Sequence, residues 1–227
     1  RAGVVERQRR RPLAALERDA ADAPAPRGFA AAMAAAYARG GAVALSVLTE
    51  TTFFRGGYDL LERVAGTGLP RLQKDFVVSE YQVFEGRAAG ADAVLLIAEA
   101  LSSERGRDLV RLALDLGMDV LYEAHASSLV RRAASAAERA PEHIVVGVNN
   151  RDLHTFEVRL ERSLDACREL PPGLLLVAES GIQAAADVRR LRDAGARGIL
   201  VGEALLRAAD IEAAARALYA DLEGDRS

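Results

Sequence analysis

The stretch LDLGMDVLYEAH, residues 114–125, decides the fold. It opens as the tail of an amphipathic pattern, turns at Gly117, runs through Val120, Leu121 and Tyr122, and stops on Glu123. Glycine closes a helix because it alone enters the left-handed region without steric cost. A short run that is apolar on both faces reads as a strand in a covered parallel sheet. A carboxylate at the end of such a strand is no ordinary core residue. The same order of helix, glycine, connector and strand recurs in RAAGAD before Ala93 and in RDAGARG before Ile199.

Working outward, strands are expected at Ala42–Val47, Arg71–Phe76, Ala93–Ile97, Asp119–Glu123, Ile144–Val148, Leu174–Ala178 and Gly198–Val201. Helical patterns lie between them at Glu80–Ala89, Glu104–Leu116, Ser127–Arg139 and Ala184–Ala194. Gly28–Arg39 reads as an alanine-rich helix, and residues 1–27 as a helical extension with a proline-rich connector. One α/β domain over 1–227 is the economical organisation.

A doubly wound open sheet and a TIM-type (β/α)8 barrel both fit that alternation. No G-x-G-x-x-G follows the first strand, which weakens the dinucleotide-binding version. Polar residues recur where strands run out: Glu50, Lys74, Glu123, Asn149 with Asn150, Glu179 with Ser180, and Gly202 with Glu203. In a barrel these positions converge on one face, where the βα loops build the active site. The barrel is therefore expected, although seven strands are readable rather than eight.

Composition narrows the function. The formal net charge is −3 and the pI about 5.8, so nothing global points to nucleic acid. The basic run ERQRRRP, residues 6–12, is local and reads as a solvated helix face or a frayed terminus. Cys167 is the single cysteine, so no intrachain disulfide forms, which suits a reducing cytosol. His125, His143 and His154 lack metal-ligand spacing. No apolar run approaches the roughly 20 residues of a membrane span, and no segment reads as a signal peptide.

Lys74, in LPRLQKDFVV, is the only lysine in a chain with 30 lysines and arginines together. An ammonium gives up its proton when its surroundings lower its pKa, whereas a guanidinium in a protein does not. Proton transfer or Schiff-base chemistry therefore explains a lysine that arginine has not replaced; a surface ion pair is the plainer alternative. Glu123 fits a general base, a partner for Lys74, a cation ligand or a loop salt bridge. In GVNNRDL, residues 147–153, Asn149 offers an amide for orienting hydroxyls and Arg151 a fork for a carboxylate or phosphate. Gly181 and Gly202, in VAESGI and ILVGEAL, follow the last two strands, where barrels commonly hold phosphate. Phe53, Phe54, Phe76 and Leu95 supply apolar surface for a ring.

ALSVLTE, KDFVVSEYQVFEGRAAGADAVLLI, GMDVLYEAH, GVNNRDLHTFEV, AESGI and ILVGEALLRA together closely resemble the indole-3-glycerol-phosphate synthase family, in family order, over about residues 40–210. RRRPLAALERDAADAPAPRGFAAA is similar to the family's N-terminal extension. The resemblance implies closure of an indole ring on a carboxyphenylamino deoxyribulose phosphate, with loss of carbon dioxide and water and no metal or organic cofactor. It implies Lys74 as general acid at the ketone oxygen, Glu123 as acid/base and Asn149 as its orienting partner. It places Glu179 and Ser180 on the sugar side, Phe54, Phe76 and Leu95 around the aryl ring, and Gly181, Gly202 and the backbone at Glu203 on the phosphate. Glu50 and Arg151 join the substrate-binding set. A cytoplasmic monomer or weak homo-oligomer is expected, with neither nucleic acid nor membrane as partner.

One departure stands out. The family's first strand carries a Glu-x-Lys pair followed by a Ser-Pro-Ser loop, and neither is found here. FAAA runs directly into MAAAYARGG. Three accounts fit: a segment outside this sequence, a deletion in the gene, or divergence in which another group, such as Arg151, meets the substrate carboxylate.

Overall fold

In the computed structural model, which describes residues 28–152, 155 and 157–220, strands and helices alternate from end to end. The extension expected at residues 1–27 lies outside the described residues. Helix α1 (Phe29–Arg39) leads into β1 (Leu45–Leu48), followed by α2 (Asp59–Arg63) and a 3-10 turn. Then come β2 (Arg71–Lys74), α3 (Glu80–Ala88), β3 (Ala93–Ile97), a second 3-10 turn (Ala98–Ala100) and α4 (Ser103–Asp115). β4 (Asp119–Ala124), α5 (Ser127–Ala137), β5 (Ile144–Asn149), α6 (Glu161–Glu169) and β6 (Leu176–Glu179) continue the alternation. The last elements are α7 (Ala185–Ala194), β7 (Gly198–Leu200), α8 (Glu203–Leu206) and α9 (Ile211–Tyr219).

All strand pairs are parallel, and the sheet order is the sequence order from β1 to β7. Alternation along each strand sorts the side chains. One face carries Val94, Leu96, Val120, Val146, Val148, Leu176 and Ala178, packed beneath the helices. The other carries a smaller apolar plug of Leu72, Leu95, Ile97 and Leu121, flanked by Phe76, Val145, Val177 and Leu200. A sheet buried on both faces, with helices on one of them, is the arrangement of a (β/α) barrel.

The barrel does not close through its strands. Among the described residues β1 pairs with β2 alone and β7 with β6 alone, so the eighth position is open. On the β1 side Ser46 is exposed and Val43 is 82% exposed. Nothing charged lies between Gly40 and Thr49, so this edge lacks the charges and prolines that usually blunt an edge strand.

The helix layer bridges that opening. Helix α1 packs on α9 on one side and on α2 and the first 3-10 turn on the other. Arg39 Nε lies 2.6 Å from Glu212 Oε2, and a Cβ on Gly40 would fall 2.6 Å from the Cβ of Ala215 and 3.2 Å from the Glu212 carbonyl oxygen. Gly40 has ordinary right-handed dihedrals, so its requirement is one of space rather than backbone freedom. Gly40→Ala is expected to cost about 1–3 kcal/mol by forcing α9 off α1, read as a lowered urea midpoint. An unchanged midpoint would show that α9 yields without cost.

Candidate active site

Register builds the site. Ile97 stands beside Glu123, Glu123 beside Gly147, and Asn149 beside Glu179. Leu48 stands beside Lys74. The plug of leucines is thus capped, at the C-terminal ends of the strands, by Lys74, Glu123, Asn149 and Glu179. Glu123 is 1% exposed, Glu179 2% and Asn149 8%. Lys74 is half-buried.

Asn149 Nδ2 donates to Glu123 Oε1 at 2.9 Å, while its Oδ1 accepts the Arg151 backbone N–H at 3.0 Å. The amide is fixed at both ends and so fixes the carboxylate. Glu123 Oε2 and Glu179 Oε1 are buried with no donor in hydrogen-bond geometry. Burial first, and then the charge of Glu123, push Glu179 well above the ordinary carboxylate range; Lys74 pulls the other way. The two carboxyls stand close enough for the charge of Glu123 to favour a proton on Glu179.

Gly147 makes that meeting possible. A Cβ there would lie 2.5 Å from Glu179 Oε1 and 3.2 Å from the Glu123 Cα. The bare backbone of β5 is the gap through which the Glu179 carboxyl reaches Glu123. Sequence reasoning passed over Gly147, although an isolated glycine within a strand pattern signals close approach by another group.

Loops are held by their own polar residues. The Glu50 carboxylate accepts the backbone N–H groups of Thr52 at 2.8 Å, Phe53 at 2.5 Å and Phe54 at 3.0 Å. Although burial raises its pKa, those N–H groups bring it below the usual value. Glu50 therefore shapes the loop that carries Phe54. Phe54 stacks on Phe76 with ring centroids 6.1 Å apart, and Leu95 lies in the plug below. Asp75 accepts from Thr49 Oγ1 at 2.8 Å, tying the loop after β2 to the loop after β1.

Asn150 is fully buried; its Nδ2 donates to the Ser180 carbonyl at 3.1 Å, and its Oδ1 accepts from Ser163. This amide joins the turn after β5 to the turn after β6. Ser180 and Gly181 both have positive φ, 64° and 75°. A side chain at Gly181 would collide with Val158, so glycine is needed there for both reasons. Gly202 has open space and negative φ, so neither reason applies to it. The Arg151 guanidinium is 2.7 Å from Glu203 Oε2, and Arg207 pairs with Glu203 Oε1 at 2.8 Å. The Glu203 side chain is thereby turned towards cations.

Fold and site together define a barrel enzyme that keeps buried carboxyls, an amide and a lysine at the C-terminal ends of its strands. Solved structures agree on the fold: one of 3-hexulose-6-phosphate synthase has a TM-score of 0.69 at 18% identity, covering 84% of this chain and 92% of that one. Orotidine 5'-phosphate decarboxylase from Pyrococcus horikoshii OT3 gives 0.67 at 20%, covering 87% and 95%. The family model described as indole-3-glycerol phosphate synthase matches residues 3–218. Proteins of that name are similar over most of this chain: that of Bordetella pertussis is 47% identical over 79% of this chain and 67% of its own length. That of Geobacillus thermodenitrificans is 43% identical over 86% and 75%, and that of Rhodopirellula baltica 41% over 96% and 80%. The chain belongs to the indole-3-glycerol phosphate synthase family.

The raised pKa of Glu179 has a stability consequence. Between the ordinary glutamate pKa and the raised native one, the unfolded chain has released its proton and the native protein has not. Stability therefore falls as pH rises through that window. Glu179→Gln removes the titration, so the variant is expected to be more stable than the parent at neutral pH, with the gap closing towards pH 4.5. Thermal melts of both proteins at several pH values check this; parallel curves would show that Glu179 is not held protonated.

Proposed function

We propose that the chain closes the indole ring of 1-(2-carboxyphenylamino)-1-deoxyribulose 5-phosphate, releasing carbon dioxide and water, as a carbon–carbon lyase of tryptophan biosynthesis. The observation that carries this reading is the buried Glu123–Glu179 pair, fixed by Asn149 and facing the half-buried Lys74. Ring closure needs a proton delivered to a ketone oxygen and another group able to take and return protons. Lys74 fills the first role: its ammonium is a transferable acid at the rim. Glu123 fills the second, with Glu179, whose carboxyl is pushed upward by burial and by Glu123, as the neighbouring store of a proton.

The rest of the substrate follows the site's chemistry. The aryl ring lies over Leu95 against the Phe54–Phe76 stack. The ribulose hydroxyls meet Asn149, Glu179 and Ser180. The phosphate sits against the turns after β6 and β7, at Gly181, Gly202 and the Glu203 backbone, where neighbouring strand ends bring two turns together. Arg151 reaches the anthranilate carboxylate by exchanging its present partner, Glu203. Glu50 contributes by shaping the phenylalanine loop.

Among the described residues, no helix is long and apolar enough to cross a membrane, and no group of three or more His, Cys, Asp or Glu is arranged to hold a metal ion. A phosphorylated small molecule as partner, a cytosolic setting and a monomer or weak homo-oligomer belong to the same proposal.

A second reading rests on the unclosed sheet. Helix α1 runs into β1 through residues 40–44, so between residues 28 and 44 no strand carries the family's Glu-x-Lys pair. A relative that binds the phosphate ester without turning it over fits that arrangement. The growth of indole fluorescence with the phosphorylated ketose as substrate separates the two readings. Lys74→Arg is expected to lower kcat at least about a hundredfold while leaving the urea midpoint in place. A rate within about twofold of the parent would show that the charge matters and the transferable proton does not. A parent chain that binds the phosphate ester but forms no indole product would favour the second reading.

A further inference from the structure

His125 is a buried titratable group that the proposed reaction does not yet use. It follows Ala124, the last residue of β4, and its side chain is 8% exposed. Both ring nitrogens are buried, and neither has a partner in hydrogen-bond geometry. Each nevertheless lies beside a carboxylate. Nδ1 is 3.3 Å from Glu99 Oε2, and Nε2 is 3.6 Å from Glu123 Oε1. Hydrogen bonds of catalytic groups are often long in a ligand-free site and shorten when the substrate arrives.

Glu99 is built into this arrangement. It sits in the 3-10 turn after β3, and its Oε1 accepts the backbone N–H of His125 at 2.7 Å and of Ala126 at 3.3 Å. Burial raises its pKa, but the imidazole beside it and the backbone N–H of His125 outweigh that and hold Glu99 below the usual range. Its side chain is 25% exposed, against 2% for Glu123. The three groups thus form a line from solvent to the buried carboxyl pair.

The surrounding charges leave that line intact. Arg132 on α5 donates to the carbonyls of Ala98 and Leu101, so it holds the turn rather than Glu99. It lies over the Tyr122 ring, on the helix-facing side of β4. Asn149 on β5 donates to the same Glu123 oxygen that His125 approaches. Glu179 on β6 faces Glu123 from the far side, and Lys74 on β2 acts on Glu179.

The reaction gives such a line a purpose. With the substrate carboxylate ionised, the aryl–ketone carbon bond forms and the aryl–carboxylate bond breaks to release carbon dioxide. Two protons reach the former ketone oxygen, which leaves as water, and the neighbouring methylene gives up one. The balance is one proton taken from solvent in every turnover. Glu123 and Glu179 are almost wholly enclosed, so that proton needs a route.

We propose that Glu99 and His125 form a proton relay into the buried carboxyl pair, with His125 as a positioning residue that acts through Glu123. His125 passes its Nε2 proton to Glu123 Oε1 and takes a replacement at Nδ1 from the Glu99 side. This exchange leaves the charge of the ring unchanged but moves its proton from Nε2 to Nδ1, and the ring recovers its starting tautomer by turning over. This inference rests on the proposed lyase reaction, and its test has one arm that needs no turnover.

That arm is side-chain NMR of the whole chain. The chain has three histidines, and His125→Asn assigns the His125 signal. The midpoint of its titration is expected to move in Glu99→Gln and again in Glu123→Gln. A midpoint indifferent to either substitution overturns the relay, whether or not the chain turns over. The kinetic arm uses His125→Asn and Glu99→Gln. Each is expected to lower kcat about tenfold, with KM within about twofold, and to change the pH dependence of kcat. The double variant is expected to lose no more than the worse single one, because both break the same line. Losses that multiply, or an unaltered pH profile, overturn the relay. A parent chain with no turnover overturns the lyase reading instead, and the titration still decides whether His125 couples the two carboxylates.

Discussion

The ladder that sets Ile97 beside Glu123, Glu123 beside Gly147 and Asn149 beside Glu179 brings the buried polar groups of the site, Glu123, Asn149 and Glu179, to one mouth. A slip of one residue in any of those strands would turn its inward set towards the helices. Register is protected because the helix-facing side is so fully apolar: Val94, Leu96, Val146 and Ala178 are all wholly buried there. Hydrophobic burial on the outside of the sheet thus carries the polar chemistry on the inside. Neither face would be in place without the other.

Two carboxyls in one enclosed space strain against folding. Burial raises the cost of ionising Glu179, and the charge of Glu123 raises it further. The protein keeps them because Asn149 satisfies one oxygen of Glu123 and because Gly147 leaves room for Glu179 to approach. Such a pair is worth retaining where a reaction needs a proton held ready in a place water does not reach. The loops follow another economy. Glu50, Asp75 and Asn150 each hold backbone or side-chain groups of neighbouring turns, so the rim is built from polar side chains that fold the protein as well as line it.

Much of this was legible in the chain itself. Strand positions came from apolar runs between glycine-closed helices, and Ala93–Ile97 was placed as found. Other strands shifted by a residue or more: β1 begins at Leu45 rather than Ala42, and β6 at Leu176 rather than Leu174. Those differences arise where small or leucine-rich flanks carry no stop signal. The strand-end rule brought Lys74, Glu123, Asn149 and Glu179 to one mouth. It did not reveal that Glu50 folds back on its own loop, that Glu203 holds Arg151, or that His125 lies between two acids. Those facts depend on side-chain direction in loops, which no periodicity encodes. The unclosed sheet was legible as a count of seven, but that helix α1 spans the opening required coordinates.

That spanning helix changes how the chain holds together. Every strand pairing joins neighbours in sequence, so the sheet can be laid down one unit at a time with short loops to close. The contact between Arg39 and Glu212 instead joins positions 173 residues apart. In a barrel sealed by its own strands, the ladder itself would bind the first unit to the last. Here the order of assembly runs along the chain, and the two ends answer to each other through helices. Coupling between the first unit and the last then runs through that helical clasp, because a stack of neighbour-paired units without such a contact is free to fray from either end.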